Sequence, residues 1–245
     1  MKIIGGALAA IAASVLLGFG LPASGQTVSG QEVSVEFTGG YSTTWANNSG
    51  DYGAGIYSAD INGTPSSSGI ICDDFNDNIT SGEKWNAYAY QASSLASGNL
   101  SNTLFGSTIG LTGYAEVATL VSMMFSGTAT YGSITGITQA ELSSAIWDIT
   151  KPGGLQGLDS KAQSLVAAVE AAFGTNTAAA KAYLATLTNL WILTPTPKGP
   201  GEPQEMWTMV PEGGAAFMFL LLAGASCFGA MFFKYRSQLA NRETA

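Results

Sequence analysis

One thiol and a cluster of carboxylates hold most of the chemistry this chain offers. Cys72 is followed by Asp73, Asp74, Asn76, Asp77 and Asn78, so a nucleophilic sulfur stands beside hard oxygen donors of the kind calcium prefers. Asp73, Asp74 and Asp77 are the carboxylates a calcium ion would use, although the Asp-x-Asp-x-Asp-Gly loop is missing. The plainer reading is a polar turn whose side chains hydrogen-bond their own backbone. Two carboxylates can also run acid and base steps, as in glycosidases, but neighbours on an extended chain point to opposite sides. None of the 245 residues is histidine, which removes imidazole-dependent catalysis and histidine-ligated zinc. The expectation is a protein without enzymatic activity and without a cofactor, calcium at the acidic cluster being the one exception weighed.

Cys72 has no partner for a disulfide, because the only other cysteine, Cys227, falls inside the uncharged run Ala215–Phe233. A buried strand-end cysteine acting as a small apolar residue is the plain reading of such a thiol.

The elements that position these residues follow two periods. Val33-Ser34-Val35-Glu36-Phe37 and Lys84-Trp85-Asn86-Ala87-Tyr88-Ala89-Tyr90 alternate as half-buried strands do, Gly69–Cys72 is a short apolar strand, and Asn62-Gly63 marks a tight turn. From Tyr114 the period changes. Val117, Leu120, Val121 and Met124 have helical spacing, Thr138-Gln139-Ala140-Glu141 is a capping box, and 160–173 and 177–187 are alanine-rich helices. Asn189–Thr194 returns to a strand. The pattern is α+β: a β-rich first half, sandwich or barrel-like, and a helical second half, followed by one C-terminal transmembrane helix.

The ends give the address. Met1-Lys2, the uncharged run Ile3–Phe19 and the small residues at Ala23-Ser24-Gly25 read as a signal peptide, 1–25. The nineteen residues 215–233 carry no charge, enough to cross most of a ~30 Å hydrocarbon core. Lys234, Arg236 and Arg242 follow them, which places the C-terminal side in the cytoplasm and the bulk outside. Between lie an extracytoplasmic domain, 26–195, and a Pro/Gly-rich stretch, 196–209, read as a semi-rigid stalk. From Gln26 to Val210 there are five lysines, no arginine and fifteen carboxylates, a net charge of −10 that excludes nucleic acid as a partner. Trp45, Trp85, Trp147 and Trp191 serve core packing or stack on sugars.

Val210-Pro211-Glu212-Gly213-Gly214, the uncharged span, and then Lys234 and Arg236 resemble the PEP-CTERM sorting signal of Gram-negative bacteria, with Gly213 where the consensus has a second proline and a tail longer than usual. The rest of the chain adds motifs in the order such proteins show: Ile61-Asn62-Gly63, Cys72-Asp73-Asp74-Phe75, Gly82-Glu83-Lys84-Trp85, Tyr114-Ala115-Glu116, Ala145-Ile146-Trp147, Thr194-Pro195 and Pro203-Gln204-Glu205. The resemblance implies processing by signal peptidase and then by an exosortase, a membrane cysteine peptidase, near Pro211-Glu212. It implies an inner-membrane intermediate with its N-terminus outside, held through 215–233, and a final place at the cell surface or in the medium. Its partners would then be exopolysaccharide or other matrix components of a biofilm.

The Cys72 box followed by an Ala-Ile-Trp helix is similar to bacterial thioester domains, in a degenerate form. The resemblance implies that the cysteine bonds to a glutamine two residues before the Ala. Ser143 occupies that position and cannot supply the acyl carbon, so the cross-link is lost unless Gln139, one helical turn earlier on the same face, replaces it. The expectation is therefore an exported, non-catalytic surface or matrix protein with a free thiol at Cys72. A covalent adhesin using a Cys72 thioester and a carboxylate-dependent hydrolase are the alternatives.

Overall fold

The computed structural model describes residues 30–47, 50–76, 78–151, 153–197 and 203–210. The expected signal peptide, the sorting residues Pro211, Glu212, Gly213, Lys234 and Arg236, the apolar span 215–233, and Asp77 lie outside the described residues.

Among the described residues nine strands and four α-helices follow one another, all in one unit that runs through Val210. The first half holds β1 (Gln31–Asn47), β2 (Gly50–Ile61), β3 (Thr64–Pro65), β4 (Ile70–Cys72) and β5 (Lys84–Gln91), then a 3-10 turn at Ala92–Ser97. The helices are α1 (Gly106–Ser126), α2 (Gln139–Thr150), α3 (Ser160–Phe173) and α4 (Thr177–Ala185), with a small hairpin of β6 (Thr130–Tyr131) and β7 (Ile134–Thr135) after α1. Two strands close the described chain, β8 (Leu190–Thr196) and β9 (Met206–Met209). The β-rich first half and the helical part expected from the sequence are both present.

Seven strands form one antiparallel sheet in the order β1-β5-β8-β9-β4-β2-β3, and β1 also pairs with β2, so the sheet closes on itself. β1 can serve two neighbours because it is 17 residues long and bends. Its register with β2 shifts after Phe37, Gly39 and Tyr41, and Gly39 and Gly40 take φ of 96° and 81°, a backbone that only glycine adopts freely.

Alternation sends one set of side chains into the closed sheet and the other toward the helices. Val33, Val35, Trp85, Ala87, Leu193, Ile70, Cys72 and Met206 pack together as the inner cluster. Ile71, Leu190, Ile192 and Trp207 join the helical cluster built from α1, α2, α3 and α4. The four tryptophans at 45, 85, 147 and 191 are all buried.

The last described part of the expected stalk, 203–209, contains a strand. Met206-Trp207-Thr208-Met209 is β9, between β8 and β4 in the middle of the sheet, with Met206 and Trp207 fully buried. Four apolar-rich residues suffice for a strand because the ladder on both sides satisfies their backbone.

α2 starts at the expected capping box: Thr138 Oγ1 accepts from Glu141 N at 3.2 Å and Glu141 Oε2 accepts from Thr138 N at 2.6 Å, a cap worth about 1 kcal/mol. Among the described residues α1 is the one helix long and apolar enough to cross a membrane. Val117, Leu120, Val121 and Met124 are buried against the sheet and neighbouring helices, as in a core helix.

Candidate functional site

Cys72 ends β4 and is 2% exposed. Its register partner across the ladder is Met206, so Asp73 stands opposite Glu205 and Asp74 opposite Gln204 as the two chains run on. Asp73 N donates to Glu205 O at 3.3 Å at this point. With a period of two, Cys72 and Gln204 share the inner face as diagonal neighbours, while Asp73 and Glu205 share the helix face.

The diagonal pair is in contact. Cys72 Sγ lies 3.0 Å from Gln204 Oε1 and 2.9 Å from Asp74 O, and Gln204 Nε2 donates to Asp74 O at 2.9 Å. Asp74 N donates back to Sγ at 3.3 Å. The amide is thus held by its nitrogen while its carbonyl oxygen accepts from the Cys72 thiol. Gln204 is itself 7% exposed, so both groups are shielded from bulk water. Burial, and then the carboxyls of Asp73 and Asp74, push the Cys72 thiol well above its usual range and keep it neutral.

α2 fixes the strand end from the other side. Trp147 Nε1 donates to Cys72 O at 3.2 Å and Thr150 Oγ1 donates to Asp73 O. Trp147 belongs to an aromatic group with Trp45, Tyr52 and Phe75. A cavity of about 160 Å³ leads to Cys72 and Gln204 between Phe37, Tyr41, Tyr52, Tyr57, Phe75 and Trp147. Small-molecule sites usually offer roughly 300 Å³ or more. This one has room for a group the size of a single side chain.

On the helix face, Glu205 is fully buried and accepts from Tyr114 OH at 2.6 Å, from Leu104 N at 2.7 Å and from Thr194 Oγ1 at 2.5 Å. Asp73, also fully buried, accepts from Trp207 Nε1 at 2.6 Å.

The other residues singled out in the sequence sit elsewhere. Gln139 Oε1 accepts from Ser42 Oγ, and Ser143 Oγ accepts from Gly55 N at 2.8 Å, so both tie α2 to the β1–β2 hairpin rather than to Cys72. The glutamine that meets the sulfur is Gln204, visible in the sequence only as part of Pro203-Gln204-Glu205. Asp73 and Asp74 diverge: Asp74 Oδ1 accepts from Asn76 N at 2.9 Å, the polar-turn arrangement, while Asp73 turns inward. Among the described residues no three His, Cys, Asp or Glu side chains come together to hold a metal ion.

A wider cleft of about 420 Å³ is lined by Glu116 of α1, Asp148 of α2 and Glu170 of α3, with Lys151 beside them. Burial, and then the charge of Glu170, push Glu116 up to about 7. The folded chain therefore holds this proton more tightly than the unfolded one. Its contribution to stability is complete below the ordinary value of 4.5 and is lost as pH rises to about 7. The melting temperature is expected to fall across that window, with a shallower fall in Glu116→Gln; an identical slope in the variant would assign the effect to other groups.

Comparison of the chain with known protein families, with characterised proteins and with solved structures returns no match.

Proposed function

We propose that this chain is an exported, non-catalytic surface or matrix protein that attaches covalently through an internal thioester between Cys72 and Gln204. The observation that carries the reading is the 3.0 Å contact of Sγ with the Gln204 carboxamide, buried at the end of an aromatic cavity. In ring closure Sγ bonds to Gln204 Cδ, the Cδ–Nε2 bond breaks, and the thiol proton leaves with the nitrogen as ammonia. A primary amine that enters the cavity then bonds to Cδ, the C–S bond breaks, and the proton released from the amine returns to Cys72. Each molecule reacts once, so this is attachment and not turnover.

The chemistry suits what the chain contains. A thioester carries no charge, so burial that disfavours the Cys72 thiolate does not oppose it. Amines attack thioesters directly, and no histidine is needed. The small cavity has the volume for an amine the size of a lysine side chain, and its aromatic rings suit the methylenes. Full-length protein incubated with a fluorescent primary amine is expected to acquire one label, on Gln204, and Cys72→Ala none. Labelling that survives in Cys72→Ala would discard the thioester and leave a non-covalent matrix role.

Export and sorting rest on the terminal sequences: a signal peptide through Gly25, a cleavage region at Val210-Pro211-Glu212-Gly213, and an apolar span before Lys234 and Arg236. Display outward is the purpose such ends serve, with exopolysaccharide and other biofilm matrix components as the expected surroundings. The mature protein is expected to lack both ends, with C-terminal trimming near Pro211-Glu212 abolished in cells without exosortase. A mature mass that keeps 215–233 in both strains would make that span an ordinary anchor.

A further inference from the structure

We propose that Asp73 and Glu205 share a single proton, carried by Asp73, and that this carboxyl pair is the cross-strand clamp that sets the β4–β9 register on which closure of Cys72 onto Gln204 depends. The inference deepens the thioester reading and rests on it.

The geometry assigns the proton. The two side chains follow Cys72 and Gln204 directly, stand opposite each other where Asp73 N donates to Glu205 O across the two chains, and are both fully buried. Glu205 takes three donors on its two oxygens, from Tyr114, Leu104 and Thr194, the surroundings of an ionised carboxylate. Asp73 takes one, from Trp207 Nε1 to Oδ2, and its Oδ1 receives no hydrogen bond from any described group. An oxygen that bears its own proton has that arrangement. Two buried carboxylates this close cannot both ionise.

The titratable groups facing the pair are Cys72 and Asp74 on the same strand end and Tyr114 from α1; Trp207, Thr194 and Thr150 complete the surroundings without titrating. Burial first, and then the Glu205 charge, hold Asp73 well above the usual carboxylate range. A proton-bridged pair pulls the strands together at the step next to Cys72 and Gln204. Loss of that proton sets two like charges across the ladder and moves the sulfur off the amide. Asp73 and Glu205 are thus positioning residues: they lie on the opposite face and do not touch the reacting atoms.

The test follows the closed fraction of full-length protein by intact mass, as a function of pH, together with thermal melting. Asp73→Asn copies the protonated acid, since its NH₂ can donate to Glu205 while its oxygen still accepts from Trp207. Closure within about twofold of wild type is expected, without the wild-type fall at alkaline pH. Glu205→Gln turns an NH₂ toward three donors, and closure is expected to drop roughly tenfold or more. Unassisted thiol chemistry would instead speed up with pH in both proteins, and hydrolysis would lower both alike, so the difference between wild type and Asp73→Asn reads the clamp. If Glu205→Gln does not fold, the pH profile of Asp73→Asn still decides. A closed fraction in Asp73→Asn that falls with pH as in wild type, or a tolerated Glu205→Gln with a crippled Asp73→Asn, would overturn the assignment. If wild type never closes at any pH, the thioester reading fails by itself. The clamp is then judged by melting, where Asp73→Asn should stay near wild type at neutral pH and Glu205→Gln should be strongly lowered.

Discussion

Replacing Gln204 by alanine is expected to abolish covalent amine capture completely while leaving the chain folded. Among the described residues the Gln204 carboxamide is the one side-chain amide in contact with the sulfur, and without it Cys72 has no side-chain acyl group to bond with. Structurally the loss is small. Cys72 keeps its bond to Asp74 O, and the deleted amide takes its donor and acceptor groups away together, at a cost of about 1–2 kcal/mol. Gln139→Ala is the matched control: its side chain is bonded to Ser42, so capture should remain at the wild-type level. Labelling of both variants with a fluorescent amine, with circular dichroism to check folding, separates the two glutamines. Capture lost in Gln139→Ala and kept in Gln204→Ala would return the site to α2.

Trp207→Ala is expected to have the largest effect on stability. The side chain is fully buried at the middle of the central strand, its ring lies 6.2 Å from that of Tyr114, and its Nε1 is the hydrogen-bond donor to Asp73. Removing the ring costs about 3–5 kcal/mol, and leaving the Asp73 carboxyl without its donor adds about 1–3 kcal/mol. Against a total stability of roughly 5–15 kcal/mol, that is a large share of what keeps the chain folded. Trp207→Phe keeps most of the apolar volume and loses only the N–H, so it should fold with a loss of about 1–3 kcal/mol. Urea unfolding of the two variants measures the difference; equal losses would mean that the hydrogen bond to Asp73, rather than the ring, dominates.

Much of the frame could be read from local pattern. Alternation at 33–37 and 84–90, the helical spacing at 117–124, the capping box at Thr138 and the alanine-rich runs all correspond to observed elements, because each is set by neighbours in sequence. β9 could not be read that way. It is four residues long, follows a stretch of prolines and glycines, and owes its existence to β8 and β4 on its two sides.

Missing that strand hid the site. Gln139 stands one helical turn before Ser143 on the same face of α2, but α2 is turned so that both meet the β1–β2 hairpin. Gln204 lies 132 positions from Cys72, and only the antiparallel register joins them. Had Met206–Met209 been read as a strand, its period of two would have put Gln204 and Met206 on one face and Glu205 and Trp207 on the other. Asp73 misled for a similar reason. In a run of Asp and Asn it looks like a solvated turn residue, yet it follows the strand Ile70–Cys72, and its partners Glu205 and Trp207 are distant in sequence.

Intact-mass and peptide analysis of the full-length protein, purified without denaturant and kept free of amines, bears most directly on the proposed Cys72–Gln204 bond. The expected result is a mass one ammonia below that of the processed chain, a proteolytic fragment in which the Cys72 and Gln204 peptides are joined, and a mass gain of one methylamine on exposure to that reagent. A protein at its full mass, whose Cys72 is alkylated in every molecule once unfolded, would contradict it.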